Sequence, residues 1–253
     1  MMPMRRLVDT HAHMESLDAE LVRSDALAAG VDAVVCVGGD LESSRRSIEL
    51  SRLYPGFYFS AIGVHPFNVL KVDVEVAETF FAENLWQCVA LGEIGLDYAY
   101  DFARSGDVRL RMRDVFRRFL GVAAGAERPV SVHSRSAYLD AFELVDASGV
   151  CGAVFHWFDG PVHVLRRILD AGFYVSTSAA VRYSRGVRAV IAEVPLERIL
   201  VETDSPVFLR NEGRLSTPSD VAGVVEELAR LKGLDFGEVA RVTSGNAERF
   251  FGL

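Results

Sequence analysis

The sequence predicts a closed (β/α)8 (TIM) barrel, and three observations lead there. Eight short apolar runs, most of them rich in β-branched residues, alternate with stretches of helical periodicity along the 253 residues. A strand followed by a helix and another strand implies parallel neighbours, because only a long, right-handed crossover joins them. The ionisable residues gather at the C-terminal ends of the runs, where barrel enzymes place their sites. Eight units at this length fit one domain over residues 1–253. A doubly wound open sheet is the alternative that periodicity leaves open. Against it, no GxGxxG or GxxxxGK[ST] follows any run.

The first run, LVDTH (7–11), alternates so that Asp9, His11 and His13 share one face, and helical spacing follows at 18–29. AVVCVG (33–38) precedes helix 41–53, and FYFSAIG (57–63) leads through GVHP to helix 73–85. CVALGEIG (88–95) carries Glu93 among small neighbours at its end. In the following helix, 107–125, Met112, Val115, Phe116, Phe119 and Leu120 form the apolar stripe, so the arginines of RLRMRDVFRRF (109–119) form mostly its solvated face. PVSVHS (129–134) contributes His133 before helix 137–148, and GAVFHWF (152–158) contributes His156 before helix 161–171. FYVSTSA (173–179) precedes helix 183–193; ILVETD (199–204) ends on Asp204, and helices 219–232 and 236–251 close the chain. No linker, low-complexity segment or long repeat interrupts the pattern.

No apolar run approaches the ~20 residues needed to span a bilayer, and MMPMRR is not followed by a signal-type apolar region, so the expectation is a cytoplasmic protein without membrane contact. Cys36, Cys88 and Cys151 lack CxxC spacing and read as small buried hydrophobes in a reducing compartment. The formal charge of −8 argues against a broadly basic nucleic-acid-binding surface, though it leaves room for a local site.

In a closed barrel, His11, His13, Glu93, His133, His156 and Asp204 converge on one mouth. They include four of the six histidines of the chain. Each has a plain structural explanation of its own; a lone histidine is commonly a hydrogen-bonded structural residue, and Asp204 before Ser-Pro could cap a helix. Six clustered ionisable groups are costly without a cation, however, and a metal centre explains them together. They exceed what one tetrahedral zinc holds, whereas two cations ~3.5–4 Å apart could share them through a bridging carboxylate. Glu93 is the best bridge. Asp204 suits one metal and the attacking water, whose proton it could take as general base.

DTHAH, AIGVHP (61–66), ALGEIGLD (90–97), VHSR (132–135), FHWFDG (155–160), ILVETDSP (199–206) and the closing NAERFF (246–251) come in the order and spacing of one family. The chain resembles, from end to end, the TatD family of metal-dependent deoxyribonucleases. HxH alone is shared by many barrel hydrolases, but GEIGLD together with ETDSP is specific. The resemblance implies an amidohydrolase-type barrel with two divalent metal ions that hydrolyses phosphodiesters of DNA, often from the 3′ end. It implies that His11, His13, Glu93 and Asp204 hold one metal, and that Glu93 bridges to a second held by His133 and His156. His65 and Arg135 match positions near the substrate, where they would bind a phosphate. Zinc, iron and manganese suit such a ligand set, and magnesium could act with fewer protein bonds.

Glu15, Phe67, Trp157 and Asp159 depart from the family's usual residues, and none is a proposed ligand. Asp9 and Glu202 read as carboxylates that orient imidazoles. Asp97 and Tyr98 either line the pocket or begin a loop; His163 is a surface residue; Trp86 packs; Trp157 stacks on a base or packs in the core. Arg182, Arg210 and Arg214 are further candidate phosphate contacts. The expected substrate is DNA, single-stranded or at 3′ ends, with no obligate protein partner. Two rivals stand beside this reading: a related hydrolase of amides, esters or small phosphoesters, and a non-catalytic binding barrel.

Overall fold

The computed structural model describes residues 7–209 and 212–253. MMPMRR and Arg210 therefore lie outside the described residues. The elements alternate as β1 (Leu7–Ala12), α1 (Ala19–Ala28), β2 (Val31–Val37), α2 (Leu41–Leu53), β3 (Tyr58–Ile62), α3 (Val74–Asn84), β4 (Ala90–Gly95) and α4 (Gly106–Gly125). They continue as β5 (Val130–His133), α5 (Tyr138–Asp146), β6 (Ala153–Phe155), α6 (Val162–Asp170), β7 (Tyr174–Thr177), α7 (Arg185–Glu193) and β8 (Ile199–Val201). A hairpin of β9 (Phe208–Leu209) and β10 (Arg214–Leu215), then α8 (Val221–Lys232) and α9 (Phe236–Phe251), complete the chain. Strands β1 to β8 form one eight-stranded sheet in sequence order, and each neighbouring pair from β1–β2 to β7–β8 is parallel.

The barrel closes where β8 meets β1, and this join excludes the open-sheet alternative. It is made by individual bonds rather than a regular ladder. Thr10 Oγ1 donates to the Val201 carbonyl at 2.9 Å, the Asp204 N–H to the His11 carbonyl at 2.9 Å, and the His13 N–H to the Ser205 carbonyl at 2.7 Å. Alternation along each strand sorts the core into two layers. In β2, Val34 and Cys36 pack outward against the helices, while Ala33, Val35 and Val37 face inward with Val8, Ala61, Ala90, Val154 and Leu200. Ala247 and Phe251 of α9 join that inner group, so the last helix packs against the end of the barrel opposite the C-terminal strand ends.

Two glycines let neighbouring strand ends come close. A Cβ at Gly95 would lie 2.0 Å from the His133 carbonyl oxygen, and one at Gly63 would lie 2.5 Å from that of Glu93. The α4 stripe is buried as its spacing predicts: Met112, Val115, Phe116, Phe119 and Leu120 all lie in the core. Among the described residues no helix is long and apolar enough to cross a membrane.

Three expectations are corrected. Cys36 and Cys88 are buried, but Cys151 is exposed, because it sits in the turn before β6 rather than in the strand. Trp86 is 72 % exposed, its indole N–H turned back onto the Glu83 carbonyl. Arg182 and Arg214 form ion pairs with Glu212 and Asp220 at the β9–β10 hairpin, and neither lines the cavity at the mouth.

Candidate metal centre

The C-terminal strand ends bring the six predicted ligand candidates together. Glu93, only 2 % exposed, stands at the centre, and its two oxygens divide the imidazoles into pairs. Oε1 lies 2.6 Å from His133 Nδ1 and 2.7 Å from His156 Nε2. Oε2 lies 3.5 Å from both His11 Nε2 and His13 Nε2. Asp204 Oδ1 approaches the second pair, at 3.7 Å from His11 and 3.5 Å from His13. Asp204 reaches this position from a left-handed backbone conformation, φ 52°, which aspartate tolerates better than most residues.

What each imidazole does with its outer nitrogen determines what the inner one offers. His13 Nδ1 faces the Val37 carbonyl at 3.1 Å, and His133 Nε2 faces Asp97 Oδ2 at 2.9 Å. His156 Nδ1 faces Glu202 Oε1 at 3.4 Å in an ion-pair contact without a hydrogen bond, and His11 Nδ1 lies 3.4 Å from the Ser131 hydroxyl. With protons on these outer nitrogens, the inner nitrogens turn lone pairs toward Glu93. His65 is the opposite case. Its Nδ1 accepts the Phe67 N–H at 3.0 Å, so the neutral ring carries its proton on Nε2, 3.3 Å from His133 Nδ1 and 3.5 Å from Glu93 Oε1. His65 thus joins the cluster as a donor of a proton-bearing nitrogen, although by distance alone it groups with Glu93 and His133.

The electrostatics are those of a cation site. Burial would raise the Glu93 carboxyl, but the imidazoles of His65, His156 and His133 outweigh it and hold the group well below the usual carboxylate range. Burial would likewise lower His13 and His156. Hydrogen bonds with Asp204, Glu15 and Glu93 push His13 well above its ordinary value, and Glu93 and Glu202 do the same for His156. The cluster draws positive charge, and a divalent cation meets that demand with the imidazoles neutral and their lone pairs engaged. The donor set therefore fits a metal. For His65, burial pushes the ring down to about 4.

The carboxylates named in the sequence take different roles. Glu202 sits behind His156 and is fixed by the Trp157 N–H at 2.9 Å and the Ser176 hydroxyl at 2.5 Å. Asp9 bonds no imidazole; it accepts the Thr203 N–H at 2.9 Å and the Thr203 hydroxyl at 2.5 Å, and so fastens the β1–β8 join. Asp97 is fully buried, and its Oδ2 holds both His133 and the Nε of Arg135, the latter at 2.8 Å. The sequence alone places Asp97 either in the pocket or at the start of a loop; its position in GEIGLD, four residues past Glu93, is the signal that points to the site. Tyr98 turns away to Asp140. His163 is exposed, as expected.

Above the cluster opens a cavity of about 570 Å3, within the usual range for small-ligand sites. His65, Arg135, Tyr100 and Phe67 line one part of it; Trp157, Tyr138 and Asp159 line another. The Asp159 carboxylate accepts the Tyr138 hydroxyl at 2.5 Å.

Comparison with known proteins completes the description. Residues 8–252 match the family described as TatD related DNase. The chain is 35 % identical over 259 residues to the "uncharacterized metal-dependent hydrolase YcfH" of Escherichia coli K12, covering 97 % of this chain and 95 % of that protein. It is 30 % identical over 258 residues to "Deoxyribonuclease TATDN3" of Homo sapiens, covering 97 % of this chain and 94 % of the relative. The crystal structure of YJJV, a TatD homolog of Escherichia coli K12, superposes with a TM-score of 0.91 at 26 % identity, covering 99 % of this chain and 100 % of that one. A TatD family hydrolase from Entamoeba histolytica, 20 % identical with 98 % of each chain covered, shares the fold at a TM-score of 0.86.

Proposed function

The chain belongs to the TatD-related DNase family, and on that premise we propose that this metal-dependent hydrolase cleaves phosphodiester bonds of DNA, working from the 3′ end of an unpaired strand. His11, His13, Glu93 and Asp204 would hold one divalent ion, and Glu93, His133 and His156 would hold a second. The observation that carries this reading is the division of four imidazoles between the two oxygens of Glu93. When bound, the ions acidify a water and neutralise charge developing on the phosphoryl group, so an acidic chain can act on a polyanion. Asp204, beside His11 and His13, orients the attacking water and accepts its proton. His65 offers its Nε2–H to a phosphoryl oxygen. Arg135, with its Nε held by Asp97, directs the rest of its guanidinium toward a phosphate.

The test is cleavage of end-labelled single-stranded oligonucleotides by protein stripped with chelator and reloaded with magnesium, manganese, zinc or iron in turn. Wild type releases nucleotides from the 3′ end, and the His11→Ala, His13→Ala double variant does not. Equal, slow degradation by both would remove the nuclease reading. Asp159, an acid at the mouth, favours a second reading in which the substrate is a less highly charged ester. A panel of small phosphoesters and carboxylic esters run beside the oligonucleotides separates the two.

A further inference from the structure

Phe67 is 49 % exposed on the wall of the cavity that holds the metal-capable cluster. A single exposed apolar side chain is ordinary. This one differs in its seat and its neighbours. It rides on the short 3-10 turn Pro66–Asn68, which is pinned from both sides: the His65 N–H and the Asn68 side-chain amide each donate to the Gly39 carbonyl at 2.9 Å. Its ring leans on Tyr100, with centroids 5.3 Å apart. Tyr100 is already engaged, with Phe102 stacked on it at 5.1 Å and 9° and the Arg135 guanidinium carbon 4.7 Å from its centroid. Phe67 is the most exposed of these three rings, since Tyr100 and Phe102 are half-buried. Two cations flank it, Arg135 through Tyr100 and Lys71, whose ammonium lies 5.4 Å from the Phe67 centroid.

An exposed aromatic face, rigidly mounted between cations and beside groups that handle phosphate, is the arrangement by which proteins hold unpaired nucleotides. We propose that Phe67, backed by Tyr100, is a base-stacking subsite that seats the terminal nucleobase of a single strand while Lys71 and Arg135 take adjoining phosphates. The proposal rests on the phosphodiesterase reading above and deepens it. Stacking tolerates every base, so the subsite selects for an unpaired end and not for sequence. Residue 67 bonds the cluster through its backbone, by the N–H that fixes His65. Replacing the side chain therefore removes the platform and keeps that bond.

The experiment uses the full chain loaded with metal and an oligonucleotide carrying 2-aminopurine at its 3′ end, joined through a phosphorothioate to slow cleavage. Stacking on Phe67 quenches the 2-aminopurine fluorescence. Phe67→Ala loses the quench, and Phe67→Trp restores it. On unmodified strands, kcat/KM of Phe67→Ala falls roughly 5-fold or more relative to a strand ending in an abasic nucleotide, the size expected for one lost base–aromatic stack. Equal quenching and an unchanged ratio in Phe67→Ala, with wild type still degrading the strand, would overturn this subsite alone. If wild type cleaves small esters but neither binds nor degrades any oligonucleotide, the nuclease reading fails and the subsite fails with it.

Discussion

The Asp204 N–H donates to the carbonyl of His11 at 2.9 Å, across the join where the last barrel strand meets the first. Two of the predicted ligand residues are thus tied backbone to backbone at the closure itself. Thr203 secures the same join through Asp9, which lies with no exposed surface. Thr203→Val keeps the side-chain shape but strips one Asp9 oxygen of its hydroxyl donor. The expected cost is ~1–3 kcal/mol of stability, read by urea denaturation. Because the join positions His11, His13 and Asp204, metal affinity falls with it, roughly 10-fold in a metal titration. Loss of stability with unchanged metal affinity would separate the closure from the site.

Glu93 as a bridge makes a stoichiometric prediction. Wild type reloaded after chelation binds about two divalent ions per chain, and His133→Ala, which removes a ligand from the Oε1 side only, drops to about one. Glu93→Gln weakens both, since one side chain serves both pairs. Metal also raises the melting temperature by mass action, so the chelator-stripped protein melts lower. Emission spectroscopy on desalted protein checks the counts; two ions retained by His133→Ala would remove it from the ligand set.

Much of the fold and of the site is legible in the sequence. Short apolar runs alternating with helical stripes mark eight strands in order, and the ionisable residues at their ends mark the cluster, because both depend on local spacing. What was not legible depends on where side chains turn after the chain closes. The β9–β10 hairpin escaped notice because its strands are two residues each, too short for a periodic signal. Arg182 and Arg214 were plausible phosphate contacts by position, yet Glu212 and Asp220 take them. Asp9, read from the sequence as orienting an imidazole, fastens a backbone join, whereas Asp97, read as a pocket or loop residue, orients His133. Asp9 is pushed by burial up to about 8, a sign of how completely it leaves water.

The cysteines separate by exposure. Burial pushes Cys88 up from 9.0 to about 11, and burial, with Asp9 and Glu15 adding to it, holds Cys36 well above its ordinary value. Thiolates are the reactive form, so at about pH 8 a thiol reagent modifies Cys151 in the native protein and all three cysteines in denaturant. Protonation favours the folded state here. Cys88's contribution to stability is complete below pH 9.0, the unfolded value, and is lost as pH rises toward about 11. Rapid native labelling of Cys36 or Cys88 would contradict the burial described.

His65 gives the sharpest division between ligand and donor. Its Nδ1 is occupied by the Phe67 N–H, so Nε2 carries the proton and has no lone pair for a metal. It can hydrogen-bond a substrate oxygen, and donors of that kind are worth on the order of 100-fold in kcat. His65→Ala is therefore expected to lose activity on that scale while keeping the full metal content of wild type. His133→Ala, whose inner nitrogen offers a lone pair, loses both. Measuring kcat and bound metal on the same preparations distinguishes the two histidines, which lie only 3.3 Å apart at their nearest nitrogens. If His65→Ala loses an ion, its ring is a ligand after all, and the tautomer inferred from the Phe67 bond is wrong.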